Sequence, residues 1–176
     1  MSTGIFNFCC CEDTECNLPF YDDFETSFNP INGDLLNWDI ILPGAVDLYF
    51  GDELTPRDYP VENDGHYIDL IGSYSSWFGG MVSRCTWVLE PGNYRLRVRL
   101  RGSLRGSNTA TRIRCGPVDS TIELDAAARW DYYEFTFGIV EPTPVQIRFD
   151  CQVINRTFAT FDKGALLDEV ELIEVP

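Results

Sequence analysis

The sequence has little positive charge, one histidine (His66), one lysine (Lys163) and no long apolar run. No stretch approaches the ~20 apolar residues that a helix needs to span a bilayer, so we expect no membrane insertion. There are 13 basic against 28 acidic residues, for a net charge of −15, which argues against a nucleic-acid partner. No basic region followed by an apolar stretch opens the chain, so we expect synthesis without a signal peptide.

The scarcity of histidine also argues against catalysis. His66 follows an Asn-Asp-Gly turn in "DGHYIDL" and is expected to be a structural residue at the start of a strand. A hydrolytic triad needs a histidine beside a nucleophile, and the sequence has no G-x-S-x-G elbow. Nothing among the 28 acids singles out the pair of carboxylates that a glycosidase requires. We therefore expect a protein that is not an enzyme.

The charges that are present are distributed unevenly. Residues 1–83 hold 15 acids and one base, residues 84–163 hold 12 bases and 9 acids, and residues 164–176 carry −4. Two interpretations remain open: the halves neutralise each other within one domain, or they form complementary patches that attract neighbouring subunits.

The composition and the spacing of the proline- and glycine-rich turns indicate the fold class. A chain of 44% hydrophobic and 14% aromatic residues can form a real core. Residues 1–21 combine cysteine, phenylalanine, asparagine and acids without periodicity, which predicts an irregular N-terminal arm. Residues 22–176 show short apolar runs between proline- and glycine-rich turns, which predicts an all-β sandwich or barrel.

The clearest strand is "YRLRVRLR", residues 94–101, where apolar and arginine residues alternate. A period of two points Tyr94, Leu96, Val98 and Leu100 inward. The turn "EPGN" precedes it, and we expect residues 81–89 to form the other side of a hairpin. Further strands are predicted at 37–41, 45–50, 66–71 and 165–173. Other inward positions are predicted to be Cys85, Trp87, Leu89, Thr111, Ile113, Cys115, Tyr133, Phe135, Phe137, Val145, Ile147, Phe149 and Cys151.

The order of several motifs resembles a known family. They are "DDFE", Trp38, "AVDLYF", "DGHYIDLIGS", "LEPGNYRLRVRLRG", "ARWDYYEFTF" and "GALLDEVELIEV". Together they resemble jelly-roll carbohydrate-binding modules of the galactose-binding-like type, over residues 22–174. The resemblance implies an antiparallel jelly-roll β-sandwich and a possible glycan partner.

The same resemblance implies a possible structural calcium between the first and last strands. The matching positions are Glu25 and Asp168, with Asp22 or Asp23 as further ligands, and calcium prefers such hard oxygen donors. The alternative is that these acids are only solvated.

Sugar binding needs exposed aromatic side chains with polar groups beside them. The loop "GSYSSWFGG" offers Tyr74, Trp77 and Phe78 between glycines. The alternative is that Trp77 and Phe78 cap one end of the sandwich or pack against a neighbouring subunit.

Arginines are predicted to share one sheet surface: Arg95, Arg97, Arg99, Arg101, Arg112, Arg114 and Arg148. Arginine is favoured at protein interfaces, so this surface is a candidate for binding a partner subunit. The alternative is a solvated face on which Glu134, Asp150 and other acids pair with the arginines.

Seven cysteines cannot all pair within one chain. Without a secretion signal we expect reduced thiols, with Cys85, Cys115 and Cys151 in the core. The adjacent Cys9, Cys10 and Cys11 lack the C-x₂₋₄-C spacing of zinc sites, although a metal held with Cys16 stays open. We favour a docking arm in which Phe6, Phe8 and these cysteines pack into a partner.

These features predict a non-catalytic structural or interaction protein that is an accessory part of a larger assembly. The setting we favour is a virus or phage particle, as a decoration, cement or tail-accessory protein. The alternative is a carbohydrate-binding or adhesion module that recognises cell-surface glycans. Either way we expect other protein subunits or a glycan as partners, in a virion or at a cell surface.

Overall fold

The computed structural model describes residues 16–26, 35–41, 46–50, 65–72, 77–103, 107–154 and 164–176. These segments contain strands and turns and no helix, so none of them holds a helix long and apolar enough to cross a bilayer. The strands are β1 Phe20–Asp22, β2 Trp38–Ile40, β3 Asp47–Phe50, β4 His66–Asp69, β5 Phe78–Ser83, β6 Trp87–Leu89, β7 Gly92–Arg101, β8 Thr109–Cys115, β9 Val118–Leu124, β10 Asp131–Ile139, β11 Thr143–Val145, β12 Arg148–Val153 and β13 Leu166–Val175.

The strands form two main antiparallel sheets and one small one. Sheet A has the order β10-β7-β13-β4-β3, with β1 also paired to β13. Sheet B has the order β2-β5-β12-β8-β9, and β6 pairs with β11. One edge of β13 is shared, because β4 pairs with Leu166 and Leu167 while β1 pairs with Val170 to Leu172. The predicted all-β antiparallel jelly-roll sandwich is confirmed.

The core lies between sheets A and B, where the inward residues of alternating strands meet. Leu96, Val98 and Leu100 of β7 are fully buried, as are Ile113 and Phe149 from sheet B. Burying each such side chain contributes roughly 1.5–3 kcal/mol. The inward predictions for β7, β8 and β12 are therefore confirmed, whereas Tyr133 and Phe135 of β10 are only half-buried.

Two buried cysteines belong to this core. Burial raises the pKa of Cys115 to about 12 and that of Cys151 to about 11. Both thiols are therefore protonated at neutral pH and behave as small apolar side chains, as predicted.

The predicted hairpin between residues 81–89 and β7 is wrong. Both edges of β7 are filled along most of its length by β10 and β13, while β6 pairs with β11 in the small sheet. The turn "EPGN" thus carries the chain from one sheet to another, which local alternation does not reveal. Trp87 and Leu89 are buried as predicted.

The predicted boundary between residues 21 and 22 is also wrong, since residues 16–21 pack on the sandwich. Cys16 forms a disulfide with Cys85, which contradicts the expectation of reduced thiols and a core position for Cys85. The Trp87 indole donates to the Asn17 carbonyl at 3.3 Å, and the Phe20 ring lies 4.9 Å from that of Trp87. The remainder of the predicted arm, with Phe6, Phe8 and Cys9 to Cys11, lies outside the described residues.

Candidate functional site

The outer face of sheet B carries three transverse rows of side chains, set by the register of β5, β12, β8 and β9. Neighbouring strands lie about 4.8 Å apart, so members of one row are in reach of each other. The rows are Phe78–Gln152–Ala110–Glu123, Gly80–Asp150–Arg112–Thr121 and Val82–Arg148–Arg114–Asp119.

A cleft of about 530 Å³ lies on this face. Its volume is within the roughly 300–1,000 Å³ that is typical of ligand sites. The lining combines an aromatic ring with arginine, carboxylate, amide and hydroxyl groups, and consists of Phe78, Gly79, Ala110, Arg112, Thr121, Arg148, Asp150, Cys151 and Gln152. A ligand with both apolar and polar faces suits such a lining.

Gly80, on β5 between Phe78 and Val82, contributes no side chain to this face. A Cβ at this position would lie 2.5 Å from the carbonyl oxygen of Phe149 on β12, so no larger residue fits without moving the backbone. The face therefore has a depression between Phe78 and Val82, where the period of two would otherwise place a side chain.

The three aromatic residues predicted to bind a ligand have different fates. Phe78 begins β5, is 48% exposed and lines the cleft. Trp77 is half-buried and packs against the core, and its carbonyl accepts a hydrogen bond from the Val153 amide at 3.1 Å. This packing fits the alternative that Trp77 caps the sandwich. Tyr74 lies outside the described residues.

Asp150 is the electrostatic centre of the cleft. Arg148 donates to it through Nε and Nη2, the latter at 2.8 Å, and Arg114 donates through Nη2. Burial by itself raises the pKa of Asp150, but the hydrogen bonds and charges of the two arginines outweigh that effect and hold the pKa below its ordinary value. Asp150 is therefore ionised at neutral pH and holds two guanidinium groups.

Arg112 reaches the cleft from β8 and is paired with Asp119 on β9. Its Nε donates to Oδ1 at 2.6 Å and its Nη2 donates to Oδ2, which is a bidentate contact. The hydrogen bond to Asp119 raises the pKa of Arg112, and the same contact lowers the pKa of Asp119. Both side chains are about half exposed, so ligand groups can reach this pair from solvent.

The predicted single arginine surface is wrong. Arg95, Arg97, Arg99 and Arg101 lie on β7 of sheet A, whereas Arg112, Arg114 and Arg148 lie on sheet B, on the opposite side of the sandwich. Alternation shows that a residue faces outward but not which sheet carries it. The alternative of internal pairing with Asp150 is confirmed, while Glu134 lies beside Arg97 in the strand register.

The arginines of sheet A are also paired with acids of their own sheet. Arg95 and Arg97 contact Glu171 at 3.1 and 3.5 Å, and Arg99 contacts Asp168 and Glu169. The guanidinium groups of Arg97 and Arg99 lie 4.8 and 5.8 Å from the ring centre of Tyr132, and Arg99 also lies 5.2 Å from Trp130. This face therefore forms an internal network of charges and aromatic rings.

The residues predicted to bind calcium lie near the paired strands β1 and β13, and each has a partner within the chain. A carboxylate oxygen of Glu25 accepts a hydrogen bond from the His66 amide at 2.5 Å, and Asp168 accepts a hydrogen bond from Arg99. Asp23 accepts the Glu25 amide at 3.2 Å. Within the described ranges, no group of three or more His, Cys, Asp or Glu side chains is arranged to hold a metal ion. These carboxylates thus form hydrogen bonds within the chain, and calcium binding stays a prediction.

Asp22 and His66 have structural surroundings. Asp22 is buried and accepts hydrogen bonds from the Phe24 amide and, at 2.7 Å, from the Trp38 indole. Nδ1 of His66 lies 3.1 Å from the Phe24 carbonyl oxygen, at the start of β4. This position agrees with the structural role expected for the histidine.

Sequence reasoning did not select Gln152 or Thr121, and it considered Arg148 only as part of an arginine surface. The usable signal was the outward alternation of Arg148, Asp150 and Gln152 in "RFDCQ". That pattern does not reveal that Phe78 and Thr121 flank the same face, because the strands that carry them are distant in sequence.

No protein-family model matches the chain, and a search of curated proteins finds no match. Solved structures do match. The CBM22-1–GH10 modules of Clostridium thermocellum endo-1,4-β-D-xylanase 10B, complexed with xylohexaose, are 14% identical with a TM-score of 0.50, covering 89% of this chain and 28% of that one.

Two further structures are similar. TmCBM61, in complex with β-1,4-galactotriose, is 14% identical with a TM-score of 0.48, covering 78% of this chain and 88% of that one. The enzymatically active domain of bacteriophage CBA120 tailspike protein 4 is 10% identical with a TM-score of 0.48, covering 79% of this chain and 19% of that one. At such identities the likeness concerns the fold alone. The chain has a jelly-roll sandwich fold of the kind found in carbohydrate-binding modules.

Proposed function

We propose that the protein is a non-catalytic glycan-binding module whose site is the cleft on the outer face of sheet B. The observation that carries this proposal is Phe78, an aromatic ring left 48% exposed at a cleft that also presents Arg112, Gln152 and Thr121. An aromatic ring offers an apolar platform to a sugar ring, while arginine, amide and hydroxyl groups satisfy its hydroxyls.

The charges of the cleft support a binding role over catalysis. Of the described lining residues, Asp150 alone carries a carboxylate, and two arginines hold it. Glycoside hydrolysis requires a pair of carboxyl groups that flank the scissile bond, one of them free to donate a proton. His66 lies on β4 of sheet A, away from the face that carries the cleft.

A glycan array followed by isothermal titration calorimetry with the best oligosaccharide tests the proposal. Phe78→Ala removes the platform, and the loss of roughly 1.5–3 kcal/mol of apolar burial should weaken binding about tenfold or more. Tyr132→Ala is the matched control, since Tyr132 is an aromatic residue of similar exposure, 44%, on the outer face of sheet A.

The two variants give opposite expectations. Tyr132→Ala should bind the oligosaccharide like the unmodified protein, and Phe78→Ala should not. Equal binding by both variants would place the glycan elsewhere, and an array without any bound glycan would remove the proposal.

A second candidate is an accessory role in a larger assembly, with a virus or phage particle as the proposed setting. The observation that favours it is a pair of exposed tyrosines on sheet A, Tyr21 at 51% and Tyr132 at 44%, with Arg97 over the second ring. Tyrosine and arginine are enriched at protein interfaces. Native mass spectrometry of the protein and of Tyr21→Ala tests this role: an oligomer that dissociates in the variant supports it, and a monomer at all concentrations argues against self-association.

A further inference from the structure

The cleft on sheet B has more positive than negative groups around its centre. Arg114 and Arg148 share the single carboxylate of Asp150, while Arg112 has Asp119 to itself. Three guanidinium groups are thus matched by two carboxylates. Glu123 lies beyond Ala110 in the row that begins with Phe78 and is not among the residues that line the cleft.

Both arginines of the lining keep unused hydrogen-bond donors. A guanidinium group has five N–H donors. Arg148 uses Nε and Nη2 on Asp150, and Arg112 uses Nε and Nη2 on Asp119. Among the described residues, neither Nη1 group forms a hydrogen bond, so each can donate to a bound ligand.

The partner of Arg112 is easily exchanged. Its ion pair with Asp119 is about half exposed on both sides, and such solvent-screened surface pairs contribute little to stability. An incoming carboxylate can therefore bind Arg112 beside Asp119 or in its place. Arg148 is 37% exposed in its side chain, which leaves it accessible from the cleft.

The excess positive charge at the cleft contrasts with the negative net charge of the whole protein. The protein has a net charge of −15, so long-range electrostatics disfavours any anionic ligand. A cluster of arginines in the cleft offsets this only for a ligand whose anionic group meets the guanidiniums directly. Arginine suits a carboxylate in particular, because the two planar groups match in a bidentate contact.

We propose that the cleft selects an acidic oligosaccharide, in which a uronate carboxylate contacts Arg148 and Arg112 while a neighbouring sugar ring lies on Phe78. Strand spacing and rise per residue place Phe78 and Arg112 roughly 12 Å apart at their Cα atoms, so the ligand has more than one ring. This inference rests on the proposed glycan-binding function and narrows its ligand class.

Calorimetry with a matched pair of ligands tests the inference: trigalacturonate and its fully methyl-esterified form, which has the same rings without the charge. We expect the acid to bind at least about tenfold more tightly than the ester, since hydrogen bonds to charged groups are the stronger ones. The difference should shrink at 1 M salt, where the Debye length is only about 3 Å.

Arg148→Gln and Arg112→Gln should each remove most of the preference for the acid, measured as the ratio of the dissociation constants of ester and acid. Arg84→Gln is the matched control, because Arg84 also pairs with an acid, Asp39, but lies outside the cleft lining. Melting temperatures of all three variants check that each is folded, and Arg112→Gln leaves both arginine contacts of Asp150 intact.

The outcomes separate this inference from the proposed function. Equal binding of acid and ester, abolished by Phe78→Ala, would overturn the acidic ligand and leave glycan binding standing. A preference for the acid that survives in both Arg148→Gln and Arg112→Gln would also overturn it. Absence of binding by both ligands and by every glycan on the array would instead refute the proposed function.

Discussion

The disulfide between Cys16 and Cys85 should contribute a large part of the stability of the fold. The two cysteines are 69 residues apart in sequence, and restricting the unfolded chain by a loop of that length gives about 4 kcal/mol in the chain-entropy model. Single domains have about 5–15 kcal/mol in total. We therefore expect Cys85→Ser to lower the melting temperature by roughly 10 °C or more.

Differential scanning calorimetry of Cys16→Ser, Cys85→Ser and the double variant tests this expectation. One bond accounts for the effect, so all three should lose the same free energy of unfolding, within about 0.5 kcal/mol. Alkylation and peptide mass spectrometry of the unreduced protein should find both thiols protected. If Cys85→Ser has the same melting temperature as the unmodified protein, or if both thiols alkylate without reductant, the loop-closure reasoning is refuted.

Three further predictions concern carboxylates. Asp22→Ala leaves buried N–H donors without an acceptor, so urea unfolding should show a loss of about 2–4 kcal/mol, and an unchanged midpoint would contradict this. Burial raises the pKa of Asp150, but Arg148 and Arg114 lower it by more, so the net pKa is below the ordinary value. Ionised Asp150 therefore stabilises the fold fully above the unfolded pKa of about 3.9, and this contribution is lost as the pH falls through the lower folded pKa. Acid titration of stability should therefore be shallower for Asp150→Asn. If Glu25 and Asp168 share calcium, a chelator should lower the melting temperature and added calcium should restore it. Calcium at a hundredfold excess over Kd should stabilise the folded state by about 2.7 kcal/mol, and no response to chelator or calcium would refute the calcium site.

Much of the sandwich could be predicted because a period of two is a local property. It assigned residues such as Val98 and Phe149 to the core without any knowledge of their neighbours. The strand pairings could not be predicted in the same way, since they join distant segments. The hairpin assigned to residues 81–89 failed for this reason. Phe20 and Tyr21 of β1 were assigned to the arm because a strand of three residues shows no clear alternation.

The candidate site was only partly predictable. Phe78 was found because glycines flank an aromatic pair, a pattern typical of exposed loops. Gln152 and Thr121 join it through the order β5-β12-β8-β9, which is set by tertiary pairing. The disulfide was missed because Cys16 and Cys85 are 69 residues apart in sequence. They meet because β1 pairs with β13 and the segment before β1 contacts Trp87 of β6.

The position of the site follows from how many acids each sheet places beside its arginines. On sheet A, β13 supplies Asp168, Glu169 and Glu171, which pair with Arg95, Arg97 and Arg99 of β7. On sheet B, Asp150 pairs with both Arg148 and Arg114, and the excess positive charge lies at the cleft that contains the exposed ring of Phe78. The two faces share an alternating pattern but differ in the acids that pair with their arginines, and this difference supports the proposed site on sheet B.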